Sequence, residues 1–167
     1  TAGTYTLTGT VTYDNLSSTL MDNTTVSLYD MSATLAMQTI SDGSGVYTFN
    51  NPPAGNHAIS GMSSKAWGGV NSNDALGIMK HFVGIQTLTG VRKKAADVDG
   101  TGYINSNDAM TTARRFVGII PSFVTGDWAF EDDTLALDGV TSMVHDFKGV
   151  CMGDVDGSFT PAKEMMP

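Results

Sequence analysis

A single cysteine, Cys151, is the whole thiol complement of this 167-residue chain. One thiol cannot close an internal disulfide, so cysteine usage does not settle the redox compartment. Flanked by Val150 and Met152, Cys151 is expected to act as a small buried hydrophobe. Basic charge is also scarce. Nine Lys and Arg stand against 17 Asp and Glu, a net charge of −8. Residues 1–64 contain no Lys or Arg at all, but do contain Asp14, Asp22, Asp30 and Asp42. This balance argues against nucleic acid and against an anionic membrane surface as partners. The basic clusters Arg92-Lys93-Lys94 and Arg114-Arg115 read as solvated helix faces. No apolar run approaches the roughly eighteen residues of a membrane span, so no membrane insertion is expected. No leader is recognisable, and the chain reads as part of a larger polypeptide.

Catalytic groupings are missing too. The histidines His57, His81 and His145 are not at metal-ligand spacing, and His81 is expected on a helix surface. Glutamate is confined to Glu131 and Glu164, which gives little basis for the paired carboxylates of a glycosidase cleft. No phosphate loop or nucleophile elbow occurs. The chain is read as non-enzymatic. Trp67 and Trp128 are the aromatic candidates for carbohydrate binding, and burial is the preferred reading of both.

Against these absences stands one oxygen-rich stretch, Asp97-Val98-Asp99-Gly100-Thr101-Gly102-Tyr103-Ile104-Asn105-Ser106-Asn107-Asp108. Its spacing is that of an EF-hand calcium loop. Asp97, Asp99, Thr101, Asn105 and Asp108 fall at positions 1, 3, 5, 9 and 12, the backbone carbonyl of Tyr103 at 7, and Gly102 at the sharp turn of position 6. Calcium is a hard ion that takes six to eight oxygens, and this spacing wraps that many around one point.

Part of the loop recurs. Gly68-Gly69-Val70-Asn71-Ser72-Asn73-Asp74-Ala75-Leu76 matches Gly102-Tyr103-Ile104-Asn105-Ser106-Asn107-Asp108-Ala109-Met110. Each copy runs into a segment with apolar residues three or four apart, ending Phe82-Val83-Gly84-Ile85 and Phe116-Val117-Gly118-Ile119. That period predicts two helices, with Gly84 and Gly118 as C-terminal stops.

The N-terminal segment has a different period. Tyr5, Leu7, Gly9, Val11 and Tyr13 alternate with threonines, as in a half-buried strand. Further strands are predicted at Val26–Tyr29, Leu35–Ile40, Val46–Phe49 and His57–Met62, separated by Asp42-Gly43-Ser44-Gly45 and Asn51-Pro52-Pro53-Ala54-Gly55. After Pro121, alternation at Gly126–Glu131 and Ser142–Met152 predicts an added β-hairpin, with Asp138-Gly139 turning between and addition to the N-terminal sandwich left open. The expected fold class is α+β: an N-terminal β-sandwich over 1–63, packed on a pair of loop–helix units over 64–167 that carries the hairpin at about 121–152. The junction Ser63-Ser64-Lys65-Ala66-Trp67 is short and non-repetitive, so the two parts are expected to pack on each other.

Two resemblances follow. Asp97–Asp108 with the helix Ala109–Gly118 resembles the calcium-binding repeat of dockerin domains, including Asp rather than Glu at position 12. Dockerins are duplicated loop–helix modules of secreted bacterial proteins, and their partners are cohesin domains. Thr39–Phe49 followed by Pro53-Ala54-Gly55 resembles the Gly-x-Tyr-x-Phe signature of carboxypeptidase-regulatory-like and Cna-B-like domains, transthyretin-like sandwiches of bacterial surface proteins. The Lys–Asn crosslink of some such domains does not carry over, since residues 1–64 hold no lysine.

The dockerin resemblance implies calcium, a cohesin-type partner and a secreted or cell-surface setting. It also implies that loop positions 10 and 11, here Ser72-Asn73 and Ser106-Asn107, face that partner. Ser and Asn are equally the residues that start helices, so both roles stand open. The alternative is a calcium-stiffened structural spacer without a partner, favoured if no hydrophobic cluster is exposed at the helix ends.

The first repeat is broken. Its positions 1, 3 and 5 would be Ser63, Lys65 and Trp67, and Lys and Trp cannot ligate calcium. The tail has the opposite defect: Asp154-Val155-Asp156-Gly157-Ser158 repeats Asp97–Thr101, but Phe159-Thr160-Pro161 follows. A split site is therefore expected. Asp154, Asp156 and Ser158 come from the tail, a backbone carbonyl from near Gly69, and Asn71 and Asp74 from the first repeat. Two calcium ions are expected in all.

Overall fold

The computed structural model describes residues 4–164; the outermost residues of the 1–63 and 64–167 segments lie outside them. The strands are β1 (Thr6–Tyr13), β2 (Thr24–Asp30), β3 (Leu35–Ile40), β4 (Val46–Asn50), β5 (Gly55–Ser63), β6 (Trp128–Phe130), β7 (Asp133–Leu137), β8 (Met143–Val144) and β9 (Phe147–Cys151). The helices, between β5 and β6, are α1 (Ser72–Phe82), α2 (Gly90–Ala96) and α3 (Ser106–Phe116). The fold is α+β, with two sheets and three helices among the described residues.

One sheet has the order β4-β1-β9-β6, with β8 also on β1; the other has the order β3-β2-β5-β7. Along β1 the period of two is realised. Leu7, Gly9, Val11 and Tyr13 point inward and the threonines lie on the partly exposed face. Val26, Leu28, Tyr47, Phe49, Ile59, Phe130, Phe147 and Val150 join Leu7, Val11 and Tyr13 in one buried core fed by both sheets.

The segment after Pro121 departs from a simple added hairpin. β6 and β9 do pair antiparallel, Trp128 opposite Cys151. But β9 also runs parallel to β1, Val11 opposite Phe147, and so lies inside the first sheet. β7 pairs with β5 at the edge of the second sheet, His57 opposite Leu135, and β8 adds two residues to β1. The acidic run Glu131-Asp132-Asp133 and the shortness of β8 hide both strands from an alternation test. Both sheets thus draw strands from beyond residue 120.

α1 and α3 are built alike. The N-caps are Asn71 and Asn105, at near-identical dihedrals (φ −149° and −147°), each with a full capping box to the Asp three residues on. Each helix stops on the predicted glycine. Gly84 N–H donates to His81 O and Ile85 N–H to Lys80 O; Gly118 N–H donates to Arg115 O and Ile119 N–H to Arg114 O, which is the Schellman pattern. Their shared face buries Ile78 and Ala109 with Leu88, Ala96 and, from the tail, Val155.

Both tryptophans pack half-buried against the main core. The indole N–H of Trp67 donates to Met152 O (2.8 Å) and that of Trp128 to Lys65 O (2.9 Å). The Arg115 guanidinium lies 3.5 Å over the Trp67 ring. Cys151 is fully buried. His81, expected on a solvated face, is half-buried and accepts the Leu88 N–H on Nδ1 at 3.1 Å.

Candidate metal centres

Among the described residues, two groups of carboxylates each bring three oxygens within 4.8 Å of one another: Asp97, Asp99 and Asp108, and Asp74, Asp154 and Asp156.

The continuous group is a single turn of chain wrapped inward. Asp97 Oδ1 accepts Thr101 N–H (3.0 Å) and Oδ2 accepts Gly102 N–H (2.8 Å). Asp99 Oδ1 accepts Thr101 N–H and its hydroxyl. Asp108 Oδ1 accepts Asp99 N–H (3.3 Å) and Oδ2 accepts Asn105 N–H (2.9 Å). The Thr101 hydroxyl lies 3.3 Å from Tyr103 O. Asp97, Asp99 and Asp108 thus converge, with the Thr101 hydroxyl bonded to Asp99 beside them.

The second group is assembled from two distant segments and repeats the backbone-to-carboxylate bonds of this network. Asp154 Oδ1 accepts Ser158 N–H (3.3 Å), and Oδ2 accepts Phe159 N–H (3.3 Å) where Asp97 accepts Gly102. Asp156 Oδ1 accepts Ser158 N–H (2.8 Å). Asp74 Oδ1 accepts Asp156 N–H (3.1 Å) and Oδ2 accepts Asn71 N–H (2.8 Å). The Ser158 hydroxyl lies 3.4 Å from Gly69 O. Gly100 and Gly157, at equivalent positions, have φ of +68° and +67°, which side chains rarely adopt. Phe159 supplies the amide of position 6 without a glycine, because the chain leaves the loop there. At Gly69, φ is +83° and a Cβ would lie 3.0 Å from Asp154 Oδ2. Ser63, Lys65 and Trp67 take no part in either group; Lys65 instead reaches Asp22 and Ala162 O.

Asn71 and Asn105 have a second task. Their Oδ1 atoms accept the N–H of Asn73 and Asn107 (2.7 Å each) and cap the helices. The caps are these residues, and Ser72 and Ser106 are the first helical residues. Ser72, Asn73, Ser106 and Asn107 are all exposed. So are Leu76 and Met110, Phe82 and Phe116, Val83 and Val117, and Ile85 and Ile119. Each is a pair of equivalent positions, so the repeat exposes one apolar pattern twice. The reading in which the helix ends expose no such cluster is corrected by this finding. The signal in the sequence was the duplication itself: both copies end alike although the C-terminal ends of helices seldom need to.

Asp74, Asp108 and Asp154 are fully buried. Burial pushes the Asp74 carboxyl up to about 6 and raises those of Asp108 and Asp154. Asp99 is held below the usual range, first by the Asn107 side chain that donates to it. Buried carboxylates this close repel one another and need a cation or protons. All donors are hard oxygens, with no ring nitrogen or sulfur among the ligand positions, and this chemistry fits calcium.

Residues 68–116 match the family of the dockerin type I domain. The match opens at Gly68, where the first loop lacks its own first half, and closes on the last residue of α3. That family comprises calcium-binding, non-catalytic modules with cohesin partners, and proteins that carry them are typically extracellular or on the cell surface. No curated protein matches the chain. Among solved structures the chain is similar to BcpA, the major pilin subunit of Bacillus cereus. The identity is 23% over 38% of this chain, with a TM-score of 0.32, and the match spans 19% of the pilin subunit. No helix among the described residues is long and apolar enough to cross a membrane.

Proposed function

We propose that this chain is a non-catalytic docking module that binds two calcium ions and attaches a secreted or cell-surface protein to a cohesin-type partner. One ion is held by Asp97, Asp99, Thr101, the Tyr103 carbonyl and Asp108. The other is held by Asp154, Asp156, Ser158, the Gly69 carbonyl and Asp74. Asn105 and Asn71 contribute at position 9, where ligation commonly runs through water; their capping bonds are compatible with that. Calcium supplies the positive charge that lets three carboxylates sit together. The observation that carries this reading is the hydrogen-bond network of the continuous loop, reproduced by two segments distant in sequence. The family match over 68–116 supports the partner class. So does the twice-repeated exposed pattern of Ser72-Asn73 with Leu76 and Phe82, and Ser106-Asn107 with Met110 and Phe116.

The test is binding to cohesin domains immobilised on a sensor, in calcium and in EDTA. Calcium-dependent capture that the double variant Ser72→Arg, Ser106→Arg abolishes supports the reading. A second reading, a calcium-stiffened spacer without a partner, draws on β9, which follows the helices in the chain, lying between β1 and β6 in the first sheet. Two bound calcium ions with no capture by any cohesin would favour it.

A further inference from the structure

We propose that Tyr13, at the end of β1 in the sandwich, is a positioning residue for the composite metal site, fixing the Asp154 carboxylate through its hydroxyl. This rests on reading the Asp74–Asp154–Asp156 group as a calcium site. The Tyr13 hydroxyl donates to Asp154 Oδ2 at 2.5 Å. Its oxygen accepts the Cys151 N–H at 3.0 Å, so its proton is directed to the carboxylate. The ring is held edge-on between Trp128 and Phe159, with centroids 5.9 and 5.8 Å away, and the side chain is fully buried. Asp97, the equivalent of Asp154 in the continuous loop, receives only backbone N–H groups of its own loop.

The difference has a physical reason. In the continuous loop, positions 1 to 5 and 6 to 12 are covalently joined, and closing the loop orders one short stretch. In the composite site the halves come from segments that share no short connection, and bringing them together costs more entropy. The end of β1 supplies the missing restraint. Beside Tyr13, the Asn15 side chain donates to Phe159 O at 2.8 Å. Arg92 holds both Asp14 and Asp156 O. The sandwich thus pre-shapes the tail half-loop, and calcium binding there acts back on β1. Partners that orient a ligand in this way typically change metal affinity by about 10–100-fold.

Calcium titration calorimetry on the whole chain, below its unfolding range, reads the effect. Asp108→Asn isolates the composite site and Asp74→Asn isolates the continuous one. Tyr13→Phe is expected to weaken calcium binding about 10–100-fold in the Asp108→Asn background and to leave the Asp74→Asn background unchanged. An affinity that Tyr13→Phe leaves unchanged in the Asp108→Asn background, or lowers equally in both, would overturn the role of Tyr13. A wild-type chain that binds only one ion, and keeps it with Asp74→Asn, would instead overturn the composite site itself. A readout that survives poor folding of Tyr13→Phe is the near-ultraviolet tyrosine difference spectrum on adding calcium, with Tyr103→Phe in both backgrounds. A tyrosine difference band is expected with Asp108→Asn and not with Asp74→Asn; its absence from both would contradict the proposal, since a merely structural Tyr13 would not sense the ion.

Discussion

Val155 donates its backbone N–H to Asp74 Oδ1 at 2.9 Å, across 81 residues of chain. The same oxygen accepts Asp156 N–H, and the other oxygen of Asp74 accepts the N-cap amide of α1. One buried carboxylate therefore ties the start of a helix to the tail that passes it. Beside it, the Val155 side chain enters the small core of α1 and α3. The tail is pinned beyond this point as well: Lys65 Nζ donates to Ala162 O (3.0 Å), and Glu164 N–H donates to Asp22 Oδ2 (3.0 Å).

Removing calcium is expected to lower the melting temperature. At a free concentration a hundred times the dissociation constant, each site stabilises by about 2.7 kcal/mol. At roughly 2–4 °C per kcal/mol for a chain of this size, EDTA should shift the midpoint by about 5–10 °C per site. Scanning calorimetry with and without EDTA measures this, and an unchanged midpoint would contradict calcium binding.

The pH dependence has a definite sign. Asp74 is raised from 3.8 to about 6 by burial, so the folded chain holds that proton more tightly than the unfolded chain. Without calcium, stability therefore falls as pH rises through the interval from about 4 to 6. Calcium requires the deprotonated form, so its stabilising effect should fade as pH drops through about 6. The gap between the calcium and EDTA melting curves should be wider at about pH 7.5 than at about pH 5; a wider gap at the lower pH would refute this.

Much of this was legible in the chain. The alternation in β1, the two helices with their glycine stops, and both half-loops could be read from Leu7, Val11, Gly84, Gly118 and the repeated Asp-x-Asp-Gly spacing, because each is a local pattern with a fixed period. The destination of β7, β8 and β9 could not, since which strand neighbours which is decided by packing between residues far apart. The Tyr13–Asp154 contact was hidden for the same reason: Tyr13 looks like any inward residue of an alternating strand. Lys65 was read only as a residue that spoils a loop, and its buried partner Asp22 carried no signal.

That pair gives a stability prediction. Lys65 Nζ lies 2.8 Å from Asp22 Oδ1, with side chains only 4% and 6% exposed. Asp22→Leu leaves a buried ammonium unpaired and is expected to cost about 3–5 kcal/mol. The double variant Asp22→Leu, Lys65→Met removes both charges and should recover most of that loss. Urea unfolding of the three proteins decides; a double variant no more stable than Asp22→Leu would show that the ion pair is not the source of the effect.

Gly69 offers a local probe of the composite site. With φ at +83°, and both Phe159 Cβ and Asp154 Oδ2 within 3.0 Å of where a Cβ would stand, Gly69→Ala is strained by roughly 1 kcal/mol or more. It should weaken one calcium-binding event while the event at Asp97–Asp108 keeps its affinity. Equal weakening of both events in calorimetry would place the effect elsewhere.

The central claim is that a loop made from two distant segments of the chain is a calcium site equal in kind to the continuous one. Counting calcium ions bound at saturation, by equilibrium dialysis with atomic absorption, tests it most directly. The account predicts two ions per wild-type chain, and one each after Asp108→Asn and after the pair Asp154→Asn, Asp156→Asn. A wild-type chain that saturates with one ion, and keeps it when Asp154 and Asp156 are replaced, would contradict it.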